Sequence, residues 1–125
     1  MSEPNIIPKR VLVVDDNEDA AESMALVLKL EGHVAVSVYT AADALTHATS
    51  FRPDVVLLDI GLPEMDGYEV AQQMRELPGL KHVRIVAVTG YGRSEDRRRA
   101  REAGFDAHLV KPVDIAVLQK VLAAG

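Results

Sequence analysis

Short apolar runs alternate with longer segments of helical periodicity along most of this chain. Five of these runs are rich in valine and leucine, and their lengths of four or five residues are typical of strands. They cover residues 11–14, 34–38, 55–58, 85–88 and 107–110. The first, third and fourth runs contain no polar residue, which favours strands of a parallel sheet that is buried on both faces.

Residues of the kind that cap helices stand between these runs. Asn17, Thr40, Asp66, Ser94 and Asp114 each precede a segment with helical periodicity, and a side-chain oxygen at such a position accepts hydrogen bonds from the free amides of the first turn. The pattern therefore predicts five strands that alternate with five helices. Because five strands are too few for a closed barrel, we expect an open, doubly wound α/β fold with a five-stranded parallel sheet in the order 2-1-3-4-5.

Length and composition agree with one folded domain, which we place at residues 10–125 behind an N-terminal extension of residues 1–9. The chain has 125 residues, of which 48% are hydrophobic and 26% are charged, and its mean hydropathy is +0.04. A formal charge of -5 disfavours nonspecific binding to nucleic acid or to anionic membranes. The lack of cysteine excludes disulfides and thiol catalysis, and no segment has membrane-spanning length. We expect a cytoplasmic protein.

Polar residues follow four of the five predicted strands, at the edge where such sheets bind ligands. Asp15 and Asp16 follow the first strand, Asp59 the third, Thr89 the fourth and Lys111 the fifth. With the first and third strands as neighbours, the three carboxylates converge and repel one another unless a cation lies between them. Mg²⁺ prefers oxygen ligands and often shares its site with a phosphoryl group. The edge therefore predicts a magnesium-dependent phosphoryl-transfer site, although either aspartate of the pair, taken alone, could simply cap the first helix.

Together these residues resemble the receiver domain of two-component response regulators, and the resemblance extends over residues 10–124. The segments that carry it are VLVVDD at 11–16, DIGLPEMDG at 59–67, VTG at 88–90 and VKP at 110–112. The resemblance implies the flavodoxin-like receiver fold. The segments TGYG at 89–92 and FDAH at 105–108 are more similar to the receivers of hybrid sensor histidine kinases.

The resemblance also implies roles for the residues at the strand ends. Asp59 would be the phosphoacceptor, and Lys111 and Thr89 would contact oxygens of the phosphoryl group. The magnesium ligands that it implies are Asp16, Asp59, the backbone carbonyl of Gly61 and, through a bound water, Asp15. The Lys111–Pro112 peptide resembles a cis bond of the family.

As a member of this family the chain would be a signalling switch that catalyses only its own phosphorylation and dephosphorylation. The phosphoryl donor would be a phosphohistidine of a histidine kinase or of a phosphotransfer protein. The surface of the fourth helix, fifth strand and fifth helix would change in response. Residues 24–28 are apolar on all sides of the first helix, which fits a docked kinase helix or a homodimer as well as internal packing. A single-domain regulator and a receiver of a larger protein both remain open.

His108 departs from the family pattern, which usually has tyrosine or phenylalanine three positions before the lysine. In the family this aromatic residue and the threonine, here Thr89, form the switch. A histidine is smaller and titrates near pH 6.5 when unperturbed, so the switch would be muted or sensitive to pH. The alternative is a strand-end histidine without a switching role.

Three other functions are compatible with parts of the pattern. A flavin or nucleotide binder would need a glycine- or hydroxyl-rich loop after the first strand, where this chain has Asp15 and Asp16. A hydrolase of the haloacid dehalogenase type would carry its nucleophile in an Asp-x-Asp pattern on that strand and a cap for its substrate, and neither feature is present. An interaction module that uses the receiver fold without phosphorylation is excluded only by experiment.

Overall fold

The predicted alternation of strands and helices is present in a computed structural model that describes residues 8–60, 67–89 and 104–123. The elements within these ranges are β1 (Arg10–Val14), α1 (Glu18–Leu30), β2 (Val34–Val38), α2 (Ala41–Phe51), β3 (Val55–Asp59), α3 (Gly67–Glu76), β4 (Arg84–Thr89), β5 (Ala107–Val110) and α4 (Ile115–Ala123). The predicted fourth helix, at residues 93–102, lies outside the described residues, so α4 corresponds to the fifth helix of the prediction. No helix in the described ranges is long and apolar enough to cross a membrane.

All five strands are parallel and lie in the order β2-β1-β3-β4-β5. This is the predicted order. β3 is buried at every position, and β1 and β4 are buried at every position but the first, in agreement with their unbroken apolar runs. The order makes β1 and β3 neighbours, so the residues that end these two strands lie side by side.

Helices cover both faces of the sheet. α1 and α4 pack on one face, where Ala21, Ala25, Leu118 and Leu122 meet side chains of the sheet. α2 and α3 pack on the other face through small and medium side chains, which are Ala41, Ala44, Ala48, Val70, Ala71 and Met74. Alanine is the commonest buried residue on the inner sides of α1 and α2.

The predicted caps fix where the helices begin relative to the strand ends. Asn17 Oδ1 accepts a hydrogen bond from Ala20 N–H at 3.1 Å at the start of α1. Thr40 Oγ1 accepts from Asp43 N–H at 3.0 Å before α2. Asp114 Oδ1 accepts from the first amides of α4. These three caps are confirmed, whereas Asp66 and Ser94 lie outside the described residues.

The beginning of α3 contacts the residue that follows Asp59. Gly67 N–H donates to the Ile60 carbonyl oxygen at 3.4 Å. A Cβ atom added at Gly67 would lie 2.5 Å from Ile60 Cα, which no side chain can accommodate without a backbone shift. Glycine is therefore required at this position by the close approach of two backbone segments.

Arg75 links the end of α3 to the start of β5 and to the loop before β4. Its Nε and Nη2 donate to the Gly104 carbonyl oxygen at 3.2 and 2.6 Å, and Nη2 also pairs with Asp106 Oδ2 at 2.8 Å. Its Nη1 donates to the carbonyl oxygens of Lys81 and Val83. One guanidinium therefore satisfies three backbone carbonyls of two segments.

Replacing this side chain should destabilise the fold markedly. We expect Arg75→Met to lower the free energy of unfolding by about 2–4 kcal/mol, because three carbonyls and one carboxylate lose charge-assisted hydrogen bonds. Urea denaturation followed by circular dichroism measures this change. The matched control is Arg52→Met, at an exposed arginine, which should change stability by less than about 0.5 kcal/mol. Equal losses in the two variants would contradict the role assigned to Arg75.

The segment before β1 is held by His33, which lies in the loop between α1 and β2. Lys9 N–H donates to His33 Nδ1 at 3.0 Å, and the Lys9 carbonyl oxygen accepts from Val34 N–H at 3.0 Å. Because Nδ1 accepts here, the contact requires the neutral imidazole. Burial lowers the pKa of His33, Glu31 acts in the opposite direction, and Lys9 adds to the lowering.

Stability should therefore depend on the protonation of His33. The pKa of His33 is lower in the folded chain than in the unfolded chain. The stabilisation that His33 provides is therefore complete above about pH 6.5 and is lost as the pH falls through the folded pKa. We expect the free energy of unfolding of the wild type to exceed that of His33→Leu by more at about pH 7.5 than at about pH 4.5. Urea titrations at the two pH values give this difference. An equal difference in the free energy of unfolding at the two pH values would show that protonation of His33 is not coupled to folding.

Candidate functional site

Three carboxylates meet at the carboxyl edge of the sheet. Asp15 directly follows β1, Asp59 is the last residue of β3, and Asp16 follows Asp15. One carboxylate oxygen of each lies within 4.8 Å of the others. Asp15 and Asp59 are buried, with 7% and 9% of their surface exposed, whereas Asp16 is exposed. The cluster is thus enclosed by the protein on one side and open to solvent on the other.

Lys111 supplies a positive charge to this cluster from the end of β5. Its Nζ lies 3.1 Å from Asp15 Oδ2 and 3.2 Å from Asp59 Oδ2. Its backbone N–H donates to the Thr89 carbonyl oxygen at 2.8 Å, which continues the pairing of β4 and β5 beyond the last strand residue. The peptide bond between Lys111 and Pro112 is cis, as the resemblance implied.

The two carboxylates determine the charge state of Lys111. Burial of the ammonium lowers its pKa, but hydrogen bonds and electrostatic attraction to Asp15 and Asp59 outweigh this effect. The net result is a pKa above the ordinary value for lysine. Lys111 is therefore fully charged at neutral pH and acts as a fixed cation in the site.

Both oxygens of Asp15 have defined partners. Oδ1 accepts from Asn17 N–H at 3.0 Å and Oδ2 accepts from Lys111 Nζ. Asn17, and neither Asp15 nor Asp16, supplies the side-chain cap of α1. The interpretation of the acidic pair as a helix cap is therefore wrong, and Asp15 is oriented toward the cluster.

Thr89 and His108 lie on the neighbouring strands β4 and β5. Thr89 is the last residue of β4 and is 3% exposed; its strand neighbours β3, where Asp59 is in register with Val88. His108 is half-buried in β5. Because the adjacent Leu109 packs with α1 and α4, His108 points to the opposite face of the sheet. Gly61, the remaining predicted ligand, lies outside the described residues.

An apolar cleft adjoins the charged cluster, and sequence reasoning missed it. The cleft has a volume of about 210 Å³, and Asp15, Asp59 and Lys111 lie at its polar end. Its apolar lining comes from α1, from the segment after β5 and from three strands of the sheet, and includes Ala20, Met24, Pro112, Val113, Val13, Leu57 and Val88. The only sequence signal for this lining was the excess of apolar residues in the run 24–28.

The donor set determines which cation could bind the cluster. Within residues 8–60, 67–89 and 104–123 it consists of carboxylate oxygens, and three carboxylates with one ammonium leave two uncompensated negative charges. Hard divalent cations prefer such oxygen ligands, and Mg²⁺ typically takes one or two carboxylates and keeps several waters. The exposed position of Asp16 leaves one side open for waters and for a further anionic ligand. The residues present therefore fit Mg²⁺.

Comparisons with known proteins agree with this geometry. The sequence matches the family model of the response regulator receiver domain over residues 11–123. The polar-differentiation response regulator DivK of Brucella anthropi is 32% identical over 109 residues, which cover 87% of this chain and 89% of DivK.

Solved structures with the same fold include two informative neighbours. The chemotaxis protein CheY4 of Vibrio cholerae has a TM-score of 0.88 at 26% identity, with coverage of 94% of this chain and 98% of CheY4. The receiver domain of a sensor histidine kinase from Pseudomonas aeruginosa has a TM-score of 0.84 at 29% identity, with coverage of 94% and 97%. That structure has a magnesium ion coordinated in the active-site cleft.

The repulsion within the cluster should be measurable in the absence of divalent cations. We expect Asp59→Asn to raise stability by on the order of 1 kcal/mol, or roughly 4 °C in melting temperature, because one of three repelling carboxylates is neutralised. Lys111→Met should lower the melting temperature because Asp15 and Asp59 lose their shared ammonium. Differential scanning calorimetry in the presence of a chelator measures both shifts.

The matched control for this measurement is Asp43→Asn, which makes the same chemical change at an exposed position of α2. Its melting temperature should not rise, because Asp43 lies in the first turn of α2, where a negative charge stabilises the helix. Equal shifts in Asp43→Asn and Asp59→Asn, or a loss of stability in Asp59→Asn, would contradict the clustered-charge description.

Proposed function

Because the chain belongs to the response regulator receiver family, we propose that it is a phosphoacceptor switch in which Asp59 is phosphorylated. The donor is a phosphohistidine of a histidine kinase or of a histidine phosphotransfer protein. The observation that carries the proposal is the position of Lys111 Nζ within 3.2 Å of carboxylate oxygens of both Asp15 and Asp59. This arrangement places a fixed cation beside the carboxylate that would accept the phosphoryl group.

The proposed reaction moves one phosphoryl group between two side chains. An oxygen of the Asp59 carboxylate attacks the phosphorus atom, the bond between phosphorus and the histidine nitrogen breaks, and the imidazole leaves as the other product. Water later attacks the acyl phosphate, which restores the carboxylate and releases inorganic phosphate. The protein thus catalyses its own phosphorylation and dephosphorylation and acts on no other substrate.

The acidic cluster is the proposed magnesium site. Receiver domains bind Mg²⁺ at such a cluster, and here Asp16, Asp59 and the backbone carbonyl of Gly61 would be its ligands, with Asp15 acting through a bound water. When bound, Mg²⁺ supplies positive charge opposite the oxygens of the incoming phosphoryl group. Asp15 suits the indirect role because Asn17 and Lys111 already engage both of its oxygens.

Lys111 and Thr89 stabilise the charge of the transferred group in this proposal. The Lys111 ammonium already bridges Asp15 and Asp59, so a phosphoryl oxygen on Asp59 comes within its reach. The Thr89 hydroxyl, at the end of the neighbouring strand, donates a hydrogen bond to another phosphoryl oxygen. Such fixed donors act mainly by positioning and by electrostatic stabilisation, which dominate phosphoryl transfer.

The output of the switch is proposed to be a change of surface. Movement of Thr89 toward the phosphoryl group would leave space that His108 could occupy, and the surface of residues 93–102, β5 and α4 would repack. Three apolar side chains on the described part of this surface are exposed, namely Val110, Ile115 and Val117. They could contact a downstream partner or a second copy of the chain.

Incubation with magnesium and acetyl phosphate tests the phosphoacceptor assignment. Intact mass spectrometry should show one added phosphoryl group on the wild type and none on Asp59→Asn, because the nucleophile is removed. A chelator should abolish the gain, and Asp16→Asn should require more magnesium because it loses a proposed ligand. The control Asp43→Asn should be phosphorylated like the wild type.

Two outcomes would contradict the proposal in different ways. Phosphorylation of Asp59→Asn at wild-type level would place the nucleophile elsewhere. No mass gain in the wild type, together with no binding of beryllofluoride, would favour an interaction module that works without phosphorylation. Binding of beryllofluoride without a mass gain would instead support the assignment of the site and indicate that the acyl phosphate is hydrolysed rapidly.

A further inference from the structure

An open cleft lies at the edge of the sheet opposite to Asp59, where four strands begin. Its volume is about 280 Å³, and its lining residues are Lys9, Asp54, Val55, His82, Arg84 and Asp106. They lie at or just before the first residues of β1, β3, β4 and β5. A five-residue strand is roughly 15 Å long, so this cleft is separate from the acidic cluster.

The guanidinium of Arg84 is the unusual feature of the cleft. Its Nε is buried and has no hydrogen-bond partner within the described residues, although its backbone N–H donates to the Asp54 carbonyl oxygen at 3.2 Å. A buried charged donor without an acceptor is costly, and native proteins rarely retain one. An acceptor that enters the cleft from solvent would satisfy this donor.

The two carboxylates of the cleft are engaged by other donors. Asp106 Oδ2 accepts from Ile85 N–H and pairs with Arg75, both at 2.8 Å. Asp54 Oδ2 accepts from Arg10 N–H at 2.8 Å. Arg75 neutralises Asp106. The two positive charges of Lys9 and Arg84 then face one negative charge, that of Asp54, so the cleft carries one net positive charge. This excess favours an anion and disfavours a cation.

Lys9 is held in place beside the cleft. Both of its backbone polar groups are hydrogen-bonded, the N–H to His33 Nδ1 and the carbonyl oxygen to Val34 N–H. His82, on the loop before β4, adds an imidazole at the rim. The basic groups of the cleft therefore come from two separate segments, each fixed by the sheet.

From this arrangement we propose that the cleft binds a small oxyanion, either a phosphate or a carboxylate group, with Arg84 as the main donor. A guanidinium forms paired hydrogen bonds with the two oxygens of such a group, and Lys9 adds electrostatic attraction. The site is distinct from the phosphoacceptor site and does not depend on Asp59. The anion can be free phosphate or a carboxylate of an acidic peptide segment, since both present the same pair of oxygens.

Nuclear magnetic resonance of the intact, nitrogen-labelled chain tests this proposal directly. The probes are inorganic phosphate and a blocked diglutamate peptide, each added without magnesium and at an ionic strength held constant with sodium chloride. We expect a saturable shift of the Arg84 Nε–H signal with at least one probe. A shift with phosphate alone identifies a free anion as the ligand, and a stronger response to the peptide identifies an acidic segment.

Two variants of Arg84 and one control separate specific binding from general charge effects. Arg84→Gln should weaken binding of the anion at least about tenfold, because a charge-assisted hydrogen bond is lost. The affinity of Arg84→Lys should lie between those of Arg84→Gln and the wild type. Backbone spectra verify that both variants are folded. Lys120→Gln, which removes one positive charge from α4, should leave the affinity unchanged. A shift that sodium chloride alone reproduces, or equal weakening in Lys120→Gln and Arg84→Gln, would overturn the proposal and leave water as the occupant of the cleft.

Discussion

Repulsion between carboxylates at one edge of the sheet is the physical constraint on which the site depends. Asp15 and Asp59 end neighbouring strands and are buried next to each other, and one ammonium, that of Lys111, is shared between them. Asp16 adds a third negative charge at the solvent side. The uncompensated negative charge makes this edge of the sheet suited to a divalent cation, and the apolar strands provide the stability that holds the charges together.

The topology explains how residues far apart in the sequence come to this edge. All five strands are parallel, so their carboxyl ends share one edge, and the order of the strands places β1 beside β3. Asp15 and Lys111 are separated by 96 positions in the chain and lie 3.1 Å apart at their charged atoms. No local segment could gather these charges, so the cluster exists only in the folded chain.

Sequence reasoning found what local patterns encode. Apolar runs located the strands, capping residues located the helix starts, and the polar strand ends identified Asp15, Asp59 and Lys111 as one cluster. It missed the contacts whose partners are remote and carry no distinctive pattern. Arg75 contacts Gly104 at a separation of 29 residues, and the apolar cleft beside the cluster forms where α1, the segment after β5 and the strand ends meet. Their geometry follows from packing, which periodicity does not describe.

The contact between Ile60 and Gly67 has a consequence for how this scaffold can diversify. The chain leaves β3 at Ile60 and enters α3 at Gly67, and the backbones of these two residues are in contact. The intervening segment thus starts and finishes at one point of the fold. A side chain at position 67 would push the two backbones apart, so glycine must stay here if β3 and α3 are to keep their positions. The scaffold can therefore diversify at exposed positions, but not at the point where the chain passes from the strand of Asp59 into α3.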